Sequence, residues 1–171
     1  MTETRAPTPA PVHAARAEAA APAAPVIDTS RLTHLVGYAA SRASIQLKKT
    51  FRKHLGPLQL KAVEFSVLVL IAANPRLNQK QLGAALDLSA PNLAVILDRL
   101  AERGLVERVR STVDRRAQQL HLTAAGRALT AHAETIAATM ENDALRVLSA
   151  AERALLIELL LKLARGRPAR R

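Results

Sequence analysis

Apolar residues recur along this chain with two different periods, and the change of period divides it. From Leu32, the positions Val36, Ala39, Ala40, Ala43, Leu47 and Phe51 share one face of a helix at about 3.6 residues per turn. Thr29 or Ser30 is placed to cap that helix, and Gly56-Pro57 ends it. "LKAVEFSVLVLIA", residues 60–72, is apolar nearly all round, which predicts a buried helix stopped by Asn74-Pro75. Asn78 and Gln81 read as a capping box for a short helix that buries Leu82, Ala85 and Leu86. Ser89 then restarts the chain as an N-cap, with Pro91 in the first turn, where a missing N–H costs nothing. The helix that follows carries a stripe of Leu93, Ile96, Leu97 and Leu100 and ends at Gly104.

Past Gly104 the period falls to two. "LVERVR" and "AQQLHLT" read as short strands on either side of a polar bend that contains Asp114-Arg115-Arg116. Thr123 caps a long helix expected to reach about Val147, and Ser149-Ala150-Ala151-Glu152 is a second capping box for a last helix ending near Ala164. The predicted fold class is mainly α with a small β-hairpin wing: a winged helix-turn-helix, residues 60–122, joined to a helical dimerisation region, residues 30–55 and 124–165. Residues 1–28 hold ten alanines and five scattered prolines, too many breaks for the alanines to build a helix, so a disordered tail is expected. That stretch lacks the continuous apolar run of a signal peptide. Residues 166–171 read as a loose basic tail.

Composition sharpens the picture in three places. Apolar residues make up 49% of the chain but aromatic ones only 2%, so the core is aliphatic and a base-stacking platform for single strands is disfavoured. The net charge is +11, and residues 29–61 carry Arg31, Arg42, Lys48, Lys49, Arg52, Lys53 and Lys61 with no acid. A basic folded body points to a polyanionic partner: nucleic acid, an acidic membrane surface or a phosphorylated ligand, with duplex nucleic acid left open. Cysteine is absent, which excludes thiolate metal sites and disulfides and fits a reducing compartment; we expect a cytoplasmic protein. The longest apolar stretch is too short for a membrane span and is interrupted by Glu158 and Lys162, so no membrane partner is expected.

A winged helix-turn-helix places its second helix in the major groove. At about 100° per residue, Pro91, Asn92, Val95, Asp98 and Arg99 lie on the side of that helix away from its leucines. Asn92 suits adenine, Arg99 a guanine or a phosphate, and Val95 a thymine methyl; Ser89 stands at the helix entrance. On the hairpin, Arg110, Arg115 and Arg116 are candidates for the backbone and the narrow minor groove, with Asp114 bracing a neighbouring arginine. The alternative is an ordinary solvated helix face and turn, which residue types alone leave open.

As an ordered set, "LDRLAERGLVER", "DRRAQQLHLT" and the following "AAG" resemble the MarR family of bacterial transcriptional regulators, and "VEFSVLVLI" resembles the helix preceding its DNA-binding lobe. The resemblance spans about residues 31–165. It implies a homodimer with one winged helix per subunit, in which Arg115, Arg116 and the helix from Ser89 contact operator DNA, usually as a repressor released by a small ligand. Dimerisation also has a basis in the residues: Leu155, Leu156, Ile157, Leu159, Leu160, Leu161 and Leu163 cover more than one face of the last helix. A single-subunit core helix is the competing explanation.

No catalytic motif, cofactor-binding pattern or close metal-ligand pair is present; His13, His34, His54, His121 and His132 are scattered, and His54 falls on an apolar face. The polar face of the first helix carries His34, Tyr38, Ser41, Arg42, Lys49 and Arg52. In the family resembled, this helix helps line an effector pocket. His34, Tyr38 and Arg42 would suit an aromatic carboxylate, and the charge density a coenzyme A thioester of one. A solvated basic face is the alternative. An architectural DNA-binding protein without an effector is the competing function.

Overall fold

The computed structural model describes residues 27–110 and 118–166. Helix α1 (Ser30–Thr33) is a single turn, and α2 (Val36–Leu55) follows after a break at His34-Leu35. The apolar spacing suggested one unbroken helix. The break arises because the first turn closes on itself: Asp28 accepts the Ser30 N–H at 2.9 Å and the Thr33 hydroxyl donates to the Ser30 carbonyl at 3.1 Å. Side chains of this kind compete with the helical ladder, and Leu35 is extended.

A 3-10 turn over Gly56–Leu58 and a left-handed Gln59 (φ 54°) swing the chain through 69° into α3 (Ala62–Ala73). Glu64, three residues past the N-cap Lys61, accepts the Lys61 N–H at 2.8 Å. Helix α4 (Gln79–Leu86) opens with the expected reciprocal cap, Gln81 N–H to Asn78 at 2.9 Å and Asn78 N–H to Gln81 at 3.0 Å. Asp87 takes a left-handed conformation to end it, and α5 (Ala90–Glu102) begins at once. Gly104 (φ 67°) ends α5 in a Schellman motif, with Leu105 N–H on the Leu100 carbonyl and Gly104 N–H on that of Ala101.

Strands β1 (Val106–Arg110) and β2 (Gln118–Leu122) pair antiparallel, with Val106 opposite Leu122 and Arg110 opposite Gln118. Leu120 N–H also bonds the Leu77 carbonyl, which fastens the hairpin to the start of α4. Thr123 caps α6 (Ala124–Met140), accepting from Gly126 N–H at 3.0 Å and donating to the Gly104 carbonyl at 2.6 Å. Helix α6 stops seven residues before the expected Val147. Asn142 and Asp143, weak helix formers, follow the stop, and Asn142 turns its carbonyl oxygen to Arg153 Nη1 at 3.1 Å. Helix α7 (Ala150–Arg165) has the predicted Ser149/Glu152 capping box.

The core joins the end of α2 to the winged lobe. Leu55, Val67, Leu68, Leu82, Leu93, Leu97 and Leu100 are essentially inaccessible, and Leu60, Ile71, Leu105, Val106, Leu120, Leu122 and Ala133 complete the cluster. Each such leucine contributes about 1.5–3 kcal/mol by leaving water. Phe51 and Phe65 meet at the edge of this core with ring centroids 6.0 Å apart, and His54 is half-buried rather than part of it. Helix α7 contributes nothing to the cluster; none of its residues is buried. Among the described residues no single helix is long and apolar enough to cross a membrane.

Candidate nucleic-acid interface

Helix α5 is oriented by its leucines. With Leu93, Leu97 and Leu100 buried and Ile96 packed against the core, Pro91, Asn92 and Val95 must face outward, and all three are exposed. Val95 is 70% exposed, on a helix whose other large aliphatic residues are covered. Val95 therefore leaves an isopropyl group in water next to the exposed Asn92 amide. Ser89 is the N-cap residue, but its side chain makes no capping bond, against the simple expectation.

The other two outward positions are already engaged. Asp98 accepts a bond from Arg108 Nη2 of β1 at 2.7 Å, which ties the wing to the helix. Arg99 lies 3.2 Å from Oε1 of Glu64 on α3, and Glu64 is 1% exposed. Arg99 sits on the flank of α5 that meets α3, so its charge is committed first to the buried carboxylate. Arg99 thus has a partner within the protein, while 42% of its side chain stays accessible.

The two strands open toward the wing tip. Asp114, Arg115 and Arg116, together with the Arg110 side chain, lie outside the described residues; the Arg110 backbone pairs with Gln118 at the last rung. Arg108 and Glu64 were missed in the residue reading. Glu64 had a signal: it is the only acid between residues 29 and 86, set in an apolar helix, where a carboxylate needs a cap or a cation.

An open surface groove of about 460 Å³ lies between the second half of α2 and the start of α3. Lys48, Lys49, Arg52 and Lys61 supply its charge and Phe51 and Leu60 part of its apolar wall. Of the stripe read from the sequence, Lys49 and Arg52 line it. His34, Tyr38 and Arg42 do not: they sit toward the N-terminal end of this region, His34 closing α1, with His34 and Arg42 exposed and Tyr38 half-buried. No group of three or more metal-ligating side chains occurs among the described residues.

Comparison with known proteins agrees with this architecture. A MarR family profile matches residues 58–117. The transcriptional regulator HosA of Escherichia coli O157:H7 is 31% identical over 128 residues, 72% of this chain and 95% of that protein. A putative transcriptional regulatory protein for the hcr operon of Thauera aromatica is 37% identical over 101 residues, but the match spans only 61% of it. Among solved structures, the transcriptional repressor CouR bound to a 23-mer DNA duplex superposes with a TM-score of 0.77 at 37% identity, covering 82% of this chain and 99% of that one. CouR bound to p-coumaroyl-CoA gives 0.75 at 35% identity, over 83% and 100% of the two chains. A winged lobe with this helix order, aligned over nearly the full length of such relatives, makes the chain a member of the MarR family of DNA-binding transcriptional regulators.

Proposed function

We propose that this regulator is a homodimeric repressor that binds a near-palindromic operator and is released by a small ligand. The observation that carries the reading is the outward face of α5: Pro91, Asn92 and Val95 are exposed side by side while the rest of the helix is fixed from behind. Asn92 then reads adenine, Val95 a thymine methyl, and the wing arginines Arg110, Arg115 and Arg116 take the flanking backbone and minor groove. Asp114 braces the wing tip, and Ser89 and Pro91 set the helix entrance against a phosphate.

Helix α7 supports the second copy. Leu155, Ile157, Leu159, Leu161 and Leu163 are each at least half exposed in the single chain, an apolar area that a soluble helix ordinarily covers. A two-fold partner also sets two recognition helices about 34–36 Å apart, one DNA turn. For the effector, the basic and apolar cavity beside α2 favours an aromatic acid carried as its coenzyme A thioester. CouR, similar in fold and sequence, is known bound to p-coumaroyl-CoA.

Selection of bound duplexes from a random pool, followed by titration of the selected duplex with p-coumaroyl-CoA, tests both halves. The expected outcome is a two-fold-symmetric site and release of protein. Recovery of no preferred sequence, with binding that no ligand alters, would instead identify an architectural DNA-binding protein.

A further inference from the structure

The cavity and the outward helix share one short piece of backbone. Glu64 uses both its oxygens: Oε2 accepts the Lys61 N–H at 2.8 Å, and Oε1 faces Arg99 Nη1 at 3.2 Å. At the C-cap of α5, Arg103 donates through Nη1 to the Gln59 carbonyl at 2.8 Å and through Nη2 to the Leu58 carbonyl at 3.1 Å. Arg99 of α5 and Arg103 at its C-cap therefore hold residues 58–64. That same segment supplies Leu60 and Lys61 to the cavity wall, facing Lys48, Lys49 and Arg52.

A carboxylate buried to 1% exposure cannot part from its cation without leaving an uncompensated charge in the core. If Lys61 moves to close on a ligand, Glu64 moves with the backbone N–H it accepts from, and Arg99 must follow. The cavity's chemistry also selects its occupant. Four cations and no acid line it, more positive charge than a single carboxylate balances, and Phe51 and Leu60 offer an apolar surface beside them. That combination matches an amphipathic anion carrying several phosphate charges.

We propose that Glu64 is a positioning residue that transmits occupancy of the Lys48, Lys49, Arg52 and Lys61 cavity by a phosphate-bearing acyl thioester to the recognition helix α5. The proposal rests on the ligand-released reading above and adds its site and its route. Arg99 and Arg103 are the receiving ends of the link, and the aromatic acid without its phosphates is not sufficient to fill the cavity.

The test measures duplex affinity by fluorescence anisotropy with and without saturating p-coumaroyl-CoA, and ligand binding by calorimetry without DNA. Wild type, Glu64→Gln, Arg103→Gln and the double variant Arg52→Ala/Lys61→Ala are compared, with coenzyme A and p-coumarate as further probes. Wild type should lose duplex affinity on the order of 10–100-fold on adding p-coumaroyl-CoA. Glu64→Gln and Arg103→Gln should still bind p-coumaroyl-CoA within about twofold of wild type, with that loss cut to about threefold or less. The double variant should bind coenzyme A at least about tenfold more weakly, and p-coumarate should bind none of the proteins tightly.

Variants that keep the wild-type ratio, even with a lowered melting temperature, would make Glu64 a purely structural residue and overturn the proposal while leaving ligand release intact. Absence of binding to wild type, or equal binding by the double variant, overturns the cavity as the site. A ligand that binds wild type without changing duplex affinity overturns the ligand-released reading, and this proposal with it.

Discussion

Asp98 on α5 and Arg108 on β1 are joined at 2.7 Å, so α5 and the hairpin are held together by a charge pair on the protein surface. Both members are substantially accessible, 57% for Asp98 and 33% for Arg108, so the pair contributes only about 0.2–1 kcal/mol to stability. On the proposed interface Asp98 would place a carboxylate among approaching phosphates, so its effect on binding should exceed its effect on stability. Asp98→Asn should tighten non-specific duplex binding several-fold at low salt, and Arg108→Ala should weaken it. Plots of log affinity against log salt check both: Arg108→Ala should lower the slope by about one phosphate contact.

Specificity and affinity should separate between helix and wing. Asn92→Ala is expected to cost about 1–3 kcal/mol at the adenine it contacts and to relax preference there. Arg115→Ala or Arg116→Ala should weaken binding across sequences more evenly. Affinity measured on the selected site and on single-base variants distinguishes the two patterns; identical profiles for all three variants would remove this assignment of the interface.

Gly126 on α6 lies directly against the Leu105 backbone. A Cβ there would run into the Leu105 carbonyl, which is backbone and fixed by the Thr123 N–H. Gly126→Ala should destabilise the fold by at least about 1–3 kcal/mol, read by urea denaturation. Gly83→Ala, where the nearest backbone atom is the Leu88 carbonyl at 3.2 Å, should cost less.

Self-association should depend on α7. Leu159→Glu with Leu163→Glu places charge on a face that is 51% and 63% exposed in the single chain. Light scattering should record a shift from dimer to monomer, with helical content of the winged lobe retained. A variant that remains dimeric would locate the interface elsewhere.

The α7 cap carries a pH dependence. The Ser149 backbone N–H, and then its hydroxyl, hold the Glu152 carboxyl below the usual glutamate value. A carboxylate whose pKa is lowered by folding stabilises the folded state fully above its unfolded pKa, and that contribution fades as pH falls through the folded pKa. Carboxyl NMR should find Glu152 titrating below an ordinary glutamate, and Ser149→Ala should return it upward.

What could be read from the chain was chemistry within a few residues. The Asn78/Gln81 and Ser149/Glu152 boxes, the Thr123 cap, the Gly104 stop and the two strands all depend on neighbours close in sequence, and each stands where the residues implied. The face of α5 that carries Asn92 and Val95 was equally legible, because the leucine stripe fixes it. Tertiary contacts decided the rest. Nothing near Arg99 in sequence reveals its partner Glu64, 35 positions away on another helix. Spacing alone carried a helix across His34-Leu35, since apolar periodicity does not register a turn closed by side-chain hydrogen bonds. The groove lined by Lys48, Lys49, Arg52 and Lys61 was not legible either, because a 69° bend, invisible to either helix pattern, brings the end of α2 against the start of α3. Local hydrogen bonds and stripes are properties of a segment; partners and cavities are properties of how segments cross.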